Sequence, residues 1–252
     1  MNPYPIYQVD AFTENLFGGN PAAVCPLQEW LPTETMQKLA NENNLSETAF
    51  FVQKNNVFEL RWFTPELEID LAGHPTLATA YVIFNILGYQ NDTIHFETKS
   101  GALYVHKKED VLEMNFPSRM PHTVHAPIAL IEGINHQPQH ILKSRDYVLV
   151  YKNEEEVRNF KPDFEWLNKV DTLGIIVTAR GNDCDFVSRF FVPNSVIGED
   201  PVTGSAHATL IPYWAKELNK TTLLAKQISK RGGVLYCEAV SYTHLQAHET
   251  DS

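Results

Sequence analysis

"AGHPTLATAYVIFNILGY", residues 72–89, decides the reading of this chain. Pro75 suits the first helical position and Gly88 the residue just past the last turn. Between them the apolar side chains from Leu77 to Leu87 fall on nearly every face of a helix. A helix that is apolar all round has to be enclosed on all sides. The spacing therefore predicts a buried helix over 75–87. In a chain rich in short strands, the natural enclosure is a strongly curved sheet wrapped around it.

The flanking segments supply such strands. "YPIYQVDAF" and "PAAVCPL" read as strands joined through the turn residues Gly18-Gly19-Asn20. "LPTETMQKLANENN" reads as a helix with Thr33 as its N-cap. "SETAFFVQ" and "VFELRWFTP" form a hairpin about Asn55-Asn56, and "DTIHFETKSG", "ALYVHKK" and "VLEMNFP" complete the first half. The second half repeats the plan loosely, with "YVLVYK", "TLGIIVTAR" and "DFVSRFFVP" as strands and a helix over 204–218. Each long helix follows a turn, a polar residue, a proline and small residues: "GHPTLATA" in one half, "EDPVTGSAHAT" in the other.

The expected fold class is α+β, with two pseudo-symmetric lobes, each a strongly curved, mostly antiparallel sheet around a central buried helix. The lobes are expected at 1–118 and 119–239, divided where Pro117, Pro121 and Pro127 cluster. If such lobes face each other, both helix N-termini meet at one cleft. The last stretch, "VSYTHLQAHETDS" (240–252), is polar, lacks periodicity and resembles a translated sequencing-library adaptor. It is expected to be a foreign tail in place of the natural C-terminus.

Composition narrows the function. The chain has 252 residues, 43% of them apolar, enough for a substantial core. Its 31 acidic against 20 basic residues give a formal charge of −11, with no basic run beyond Lys107-Lys108 or Lys230-Arg231. Nucleic-acid binding needs clustered cations, so nucleic acid is excluded as a partner. No apolar run reaches the ~18 residues of a membrane span. The N-terminus lacks a basic segment followed by an apolar one, so no membrane association and a cytoplasmic location are expected. Cys25, Cys184 and Cys237 are widely spaced and read as buried free thiols. No metal-ligand spacing, phosphate-binding loop or dinucleotide fingerprint occurs, so neither metal nor cofactor is expected.

Several residues could carry chemistry. A helix N-terminus offers unpaired N–H groups and a positive dipole end, and Gly73 and Gly204 let a ligand approach the backbone. Asp200 follows Glu199 directly, and two sequestered carboxylates shift each other's titration. An Asp-Pro pair before a helix is equally compatible with an ordinary cap, as are Thr203 and Ser205. His74, at the mouth of the buried helix, titrates near neutrality as a free side chain but could be structural. Glu47 enters an apolar strand, where a carboxylate needs a partner or bonds local amides. Together these residues fit cofactor-free proton transfer, in which a carboxylate takes a proton from carbon and returns it elsewhere.

At these residues the sequence resembles the PhzF-like (phenazine biosynthesis) family, which has the diaminopimelate epimerase-like fold. The matching blocks are "QVDAFTENLFGGNPAAVC", "LSETAFF", "RWFTPELEIDLAGHPTLATAYV", "RFFVPNSVIGEDPVTGSAHATLIPYWA" and "SKRGGVLYCE", spanning residues 6 to 238. The resemblance implies a cofactor-independent isomerase that moves a C=C bond in a small cyclic carboxylic acid. It implies Glu47 as proton shuttle, with His74 and Asp200 in the same pocket. It further implies Asn20, Gly73, Gly204 and Ser205 as substrate-binding residues and a homodimer as the assembly. Two other readings stay open. One is an amino-acid racemase or epimerase, whose paired cysteines have no counterpart at Ala72 or in "TGSA". The other is a non-catalytic binding protein that retains the pocket.

Overall fold

The structure, a computed structural model, describes residues 3–109 and 111–239 and the backbone of 243–248. The foreign tail expected at 240–252 lies outside the described residues, apart from the backbone of a strand at Thr243–His248. The chain divides into two units, Met1–Asn115 with Gln246–Ser252, and Phe116–Leu245.

The first unit is a curled sheet built on two crossovers. Strand β1 (Tyr7–Ala11) pairs antiparallel with β2 (Asn20–Leu27), which runs parallel to β3 (Glu47–Lys54). Parallel neighbours need a crossover, and helix α1 (Thr33–Asn43) provides it. A hairpin leads from β3 to β4 (Val57–Phe63), with Asn55 at φ +56° in the turn. β4 pairs antiparallel with the short β5 (Glu68–Ile69) and parallel with β6 (Thr93–Thr98). Helix α2 (Gly73–Tyr81) is the second crossover. β7 (Gly101–Lys108) and β8 (Val111–Asn115) finish the unit as an antiparallel meander.

Both faces of the central strands are covered, which is why β2 and β3 read as near-continuous apolar runs. On one face, Met36 and Ala40 of α1 pack with Cys25, Phe50, Val52 and Phe63. α2 is buried at all nine of its positions. Each fully buried Leu, Val, Ile or Phe contributes about 1.5–3 kcal/mol, and α2 with the turn that follows it buries Leu77, Val82, Ile83 and Phe84.

Two local expectations need correction. α2 starts at Gly73, before Pro75, because N–H groups of the first turn have no intrahelical partner and a proline there removes nothing. Past Tyr81 the helix widens into a π-helical turn, Val82–Ile86, and Ile86 and Leu87 are about half exposed. The apolar face is therefore enclosed only as far as Phe84. Thr33 is not the N-cap of α1. Pro32 holds that place with its carbonyl accepting the Thr35 and Met36 N–H groups, while Thr33 Oγ1 accepts a bond from Arg61.

The second unit repeats the same pairings. After β9 (His122–Thr123) and α3 (Ile128–Glu132), β10 (His140–Lys143) pairs antiparallel with β11 (Tyr147–Val150). β11 runs parallel to β12 (Ile175–Arg180) through a crossover holding α4 (Glu154–Arg158) and α5 (Phe164–Leu167). β13 (Phe186–Val192) pairs antiparallel with β12 and β14 (Gly198–Asp200) and parallel with β15 (Thr222–Gln227). α6 (Gly204–Leu218) is the second crossover, and β16 (Gly233–Ala239) closes against β15. The order antiparallel, parallel, antiparallel, antiparallel, parallel, antiparallel is common to both units. Strand β17 (Thr243–His248) follows.

Candidate active site

In the first unit three chain segments converge on the start of α2. The turn between β1 and β2 holds Phe12, Phe17 and Gly19 at positive φ. A Cβ on Gly19 would lie 2.1 Å from the Ala11 carbonyl oxygen, so the turn closes only with glycine there. Its closure makes Asn20 the first residue of β2, opposite Ala11. The parallel ladder sets Ala22 beside Glu47, the first residue of β3. His74, the second residue of α2, meets both: its Nδ1 lies 3.3 Å from Asn20 Nδ2 and its Nε2 3.1 Å from Glu47 Oε2.

His74 is 5% exposed, and burial pushes its pKa down to about 3 against the opposing pull of a hydrogen bond to the Pro21 carbonyl. The imidazole is therefore neutral at physiological pH, and its 3.1 Å approach to Glu47 is a contact of a neutral ring and not an ion pair. The ring's surroundings serve both tautomers. With the hydrogen on Nε2, that N–H lies beside a Glu47 carboxylate while Nδ1 accepts from the Asn20 amide. With the hydrogen on Nδ1, Nε2 presents a lone pair beside a protonated Glu47. Glu47 thus faces a ring nitrogen that can be donor or acceptor, according to the tautomer.

In the second unit the stretch 199–207 separates its two adjacent carboxylates. Glu199 goes to Arg189, in a fork of 2.7 and 2.8 Å. Asp200, the last residue of β14, leads into the loop before α6 and accepts a hydrogen bond from the Thr203 hydroxyl. That loop is fastened by Gln227, the last residue of β15 and 1% exposed. The Gln227 amide donates to the Asp200 carbonyl (2.8 Å), and its oxygen accepts the Thr203 N–H (2.9 Å). Ser229 donates to the Pro201 carbonyl at 2.7 Å. His207 is scaffold: fully buried, its Nδ1 bonded to the Thr203 carbonyl at 2.8 Å, with burial lowering its pKa to about 4.

Gly204 and Ser205 open α6 as Gly73 and His74 open α2, and neither helix start carries a side-chain cap. Thr203 occupies the N-cap of α6 but spends its hydroxyl on Asp200. Ser205 Oγ accepts a hydrogen bond from Arg145 Nη2 at 3.1 Å. The structure thus groups Glu47, His74 and Asn20 beside Gly73 in one unit, and Asp200, Gly204 and Ser205 in the other. Sequence reading missed Gln227 and Arg145. Gln227 left one signal: the alternation Leu223, Ala225, Gln227 sets an amide on a buried strand face.

A family model described as phenazine biosynthesis-like protein matches residues 9–250. An uncharacterized isomerase of Pseudomonas aeruginosa is 48% identical over 233 residues, covering 92% of this chain and 90% of that one. An uncharacterized isomerase of Halalkalibacterium halodurans is 45% identical over 240 residues, covering 93% and 91%. A crystal structure of a PhzF-family phenazine biosynthesis protein from Enterococcus faecalis superposes with a TM-score of 0.94 at 49% identity. It covers 98% of this chain and 95% of that one. The architecture, two curled sheets with few helices, is the diaminopimelate epimerase-like fold that the sequence led us to expect. The chain belongs to the phenazine biosynthesis-like family and is an isomerase.

Proposed function

We propose that this isomerase moves a proton, and with it a carbon–carbon double bond, in a small cyclic carboxylic acid, using Glu47 as the only proton carrier. The observation that supports this reading is the 3.1 Å contact of Glu47 with a buried, neutral His74. In the forward step the Glu47 carboxylate takes a proton from carbon, and the released electron pair shifts into the ring system. Glu47, now neutral, returns the proton to another carbon of the same molecule. Nothing is oxidised or reduced, and no cofactor is consumed. Nε2 of His74, beside Glu47, is a donor in one tautomer and an acceptor in the other, so the same ring can serve the carboxyl group before and after each transfer. Asp200 is the second polar group of the reaction, and Asn20, Gly73, Gly204 and Ser205 hold the substrate. The homodimer that the family resemblance implies belongs to the same reading and is checked by light scattering.

The racemase reading loses ground on Cys25. This thiol sits buried in β2, and burial pushes its pKa up to about 12, a poor starting point for a carbon-acid base. The test uses deuterium uptake from heavy water into cyclic unsaturated acids. Wild-type protein is expected to label the substrate at carbon, and Glu47→Gln to lose exchange by about 10³-fold or more while keeping its fold. A Glu47→Gln variant that retains most of its exchange removes Glu47 from the role. Wild-type protein that labels no member of the panel, yet binds several, leaves the non-catalytic reading in its place.

A further inference from the structure

Two arginines from separate segments gather at the first turn of α6. Arg145, just before β11, is held from behind: its Nε and Nη2 grip Asp146 at 2.7–3.1 Å, and Asp146 is 1% exposed. The same Nη2 reaches Ser205 Oγ. An arginine only donates, so Ser205 Oγ is the acceptor of that bond and its own O–H remains to donate elsewhere.

Arg119 arrives by a different device. Pro212 lies inside α6 and has no N–H, so the carbonyl four residues back, at Ala208, lacks its helical partner. The Arg119 main-chain N–H fills that place at 2.9 Å, pinning Arg119 one turn beyond Ser205. Among the described residues no hydrogen bond or ion pair holds the Arg119 guanidinium. Its burial and the nearby charge of Arg145 lower its pKa, and only Asp146 opposes them. Two guanidinium groups thus lie in the field of one buried carboxylate that bonds Arg145, leaving an excess positive charge on a chain of formal charge −11.

We propose that Arg145 and Arg119 form a carboxylate-recognition subsite at the first turn of α6, with the Ser205 hydroxyl as an added donor. A planar carboxylate matches the guanidinium fork, and it supplies the counter-charge the cluster lacks. The proposal rests on the isomerase reading and deepens it: the substrate acid is selected by guanidinium groups, not by helix-end N–H groups alone. Arg145 acts as a positioning residue for Ser205, and Arg119 as a direct specificity determinant.

The experiment is calorimetric titration of the full chain with cyclohex-1-ene-1-carboxylate, with its primary amide, and with inorganic phosphate. Wild-type protein is expected to bind the acid at least about tenfold more tightly than the amide, the range of a charge-assisted hydrogen bond. Arg119→Ala should reduce that preference to within about twofold. Arg145 is removed together with its counter-ion, as Arg145→Leu with Asp146→Asn, because a lone buried aspartate would endanger folding. This double variant should also lose the preference. An acid preference unchanged in either variant, or absent from the wild type, overturns the proposal. Phosphate that outcompetes the acid in an Arg119-dependent way overturns the carboxylate assignment. The titration reads binding and not turnover. A negative result therefore leaves proton exchange at Glu47 standing, and retained exchange in Glu47→Gln leaves this subsite standing.

Discussion

The two units present the same construction at the mouths of α2 and α6 but fill it with opposite chemistry. In each, a parallel ladder begins beside the start of the central helix: Ala22 with Glu47 in one unit, Tyr147 with Ile175 in the other. Two residues before the first rung stands Asn20 in one unit and Arg145 in the other. Each touches the second residue of its helix, His74 or Ser205. The place of Glu47 is taken in the second unit by Ile175, which is fully buried. One mouth therefore holds a carboxyl group on a neutral imidazole, and the other holds guanidinium on a hydroxyl. A repeated backbone fixes where functional side chains stand. It leaves open whether they move protons or hold charge.

The largest expected effect follows directly from that difference. Glu47→Gln should cost about 10³-fold in proton exchange, whereas Ile175→Val at the equivalent rung should cost only about 0.5–1.5 kcal/mol of stability and leave exchange intact. Equal losses of exchange in the two variants would break the comparison. Next comes Gly19→Ala. The new methyl would meet the Ala11 carbonyl in a backbone of φ +60°. We expect about 1–3 kcal/mol of destabilisation or more in urea unfolding, with exchange reduced because Asn20 is displaced from His74. A variant as stable as wild type would show that the turn has room to reshape.

Gln227→Leu removes the fastening on the Asp200 loop and leaves the Thr203 N–H and Asp200 carbonyl without that partner. Loss of about 1–3 kcal/mol is expected, with binding of the acid probe weakened more than that of the amide. An unaltered unfolding midpoint would refute the fastening role. The smallest effect is a pH slope. His207 stays neutral in the folded chain down to about pH 4, while in the unfolded chain it takes a proton near its ordinary value. Between those values the unfolded state binds more protons, so stability falls on acidification through this window and gains nothing above it. His207→Gln should flatten the slope by up to about 1.4 kcal/mol per pH unit between roughly pH 6.5 and 4. Denaturation curves at pH 7.5 and 5 check this, and parallel shifts in variant and wild type would count against it.

Much of the first mouth was legible in the sequence because its parts carry strong local signatures. A glycine at a forced turn, a glutamate opening an apolar strand and a histidine before a proline each stand out from a plain background. The second mouth was half legible. Asp200, Gly204 and Ser205 lie in one conspicuous stretch, but Arg145 and Asp146 sit in "KSRDYVLV", an ordinary charged approach to a strand. Gln227 is equally plain. The roles of Arg145 and Gln227 are created by partners 60 and 24 residues away, which no local spacing encodes.

By itself the sequence determined the curled sheets and their buried helices, because all-round apolarity in α2 and continuous apolar runs in β2, β3, β11 and β12 have few other ways to leave water. It also determined which residue types stand at the two helix starts. Only the tertiary structure decided what those residues do. It neutralised His74 by burial, sent Glu199 to Arg189 and tied Asp200 to Thr203, and made a scaffold of His207. Burial and partner geometry set the state of an ionisable group, and both arise from contacts between distant parts of the chain.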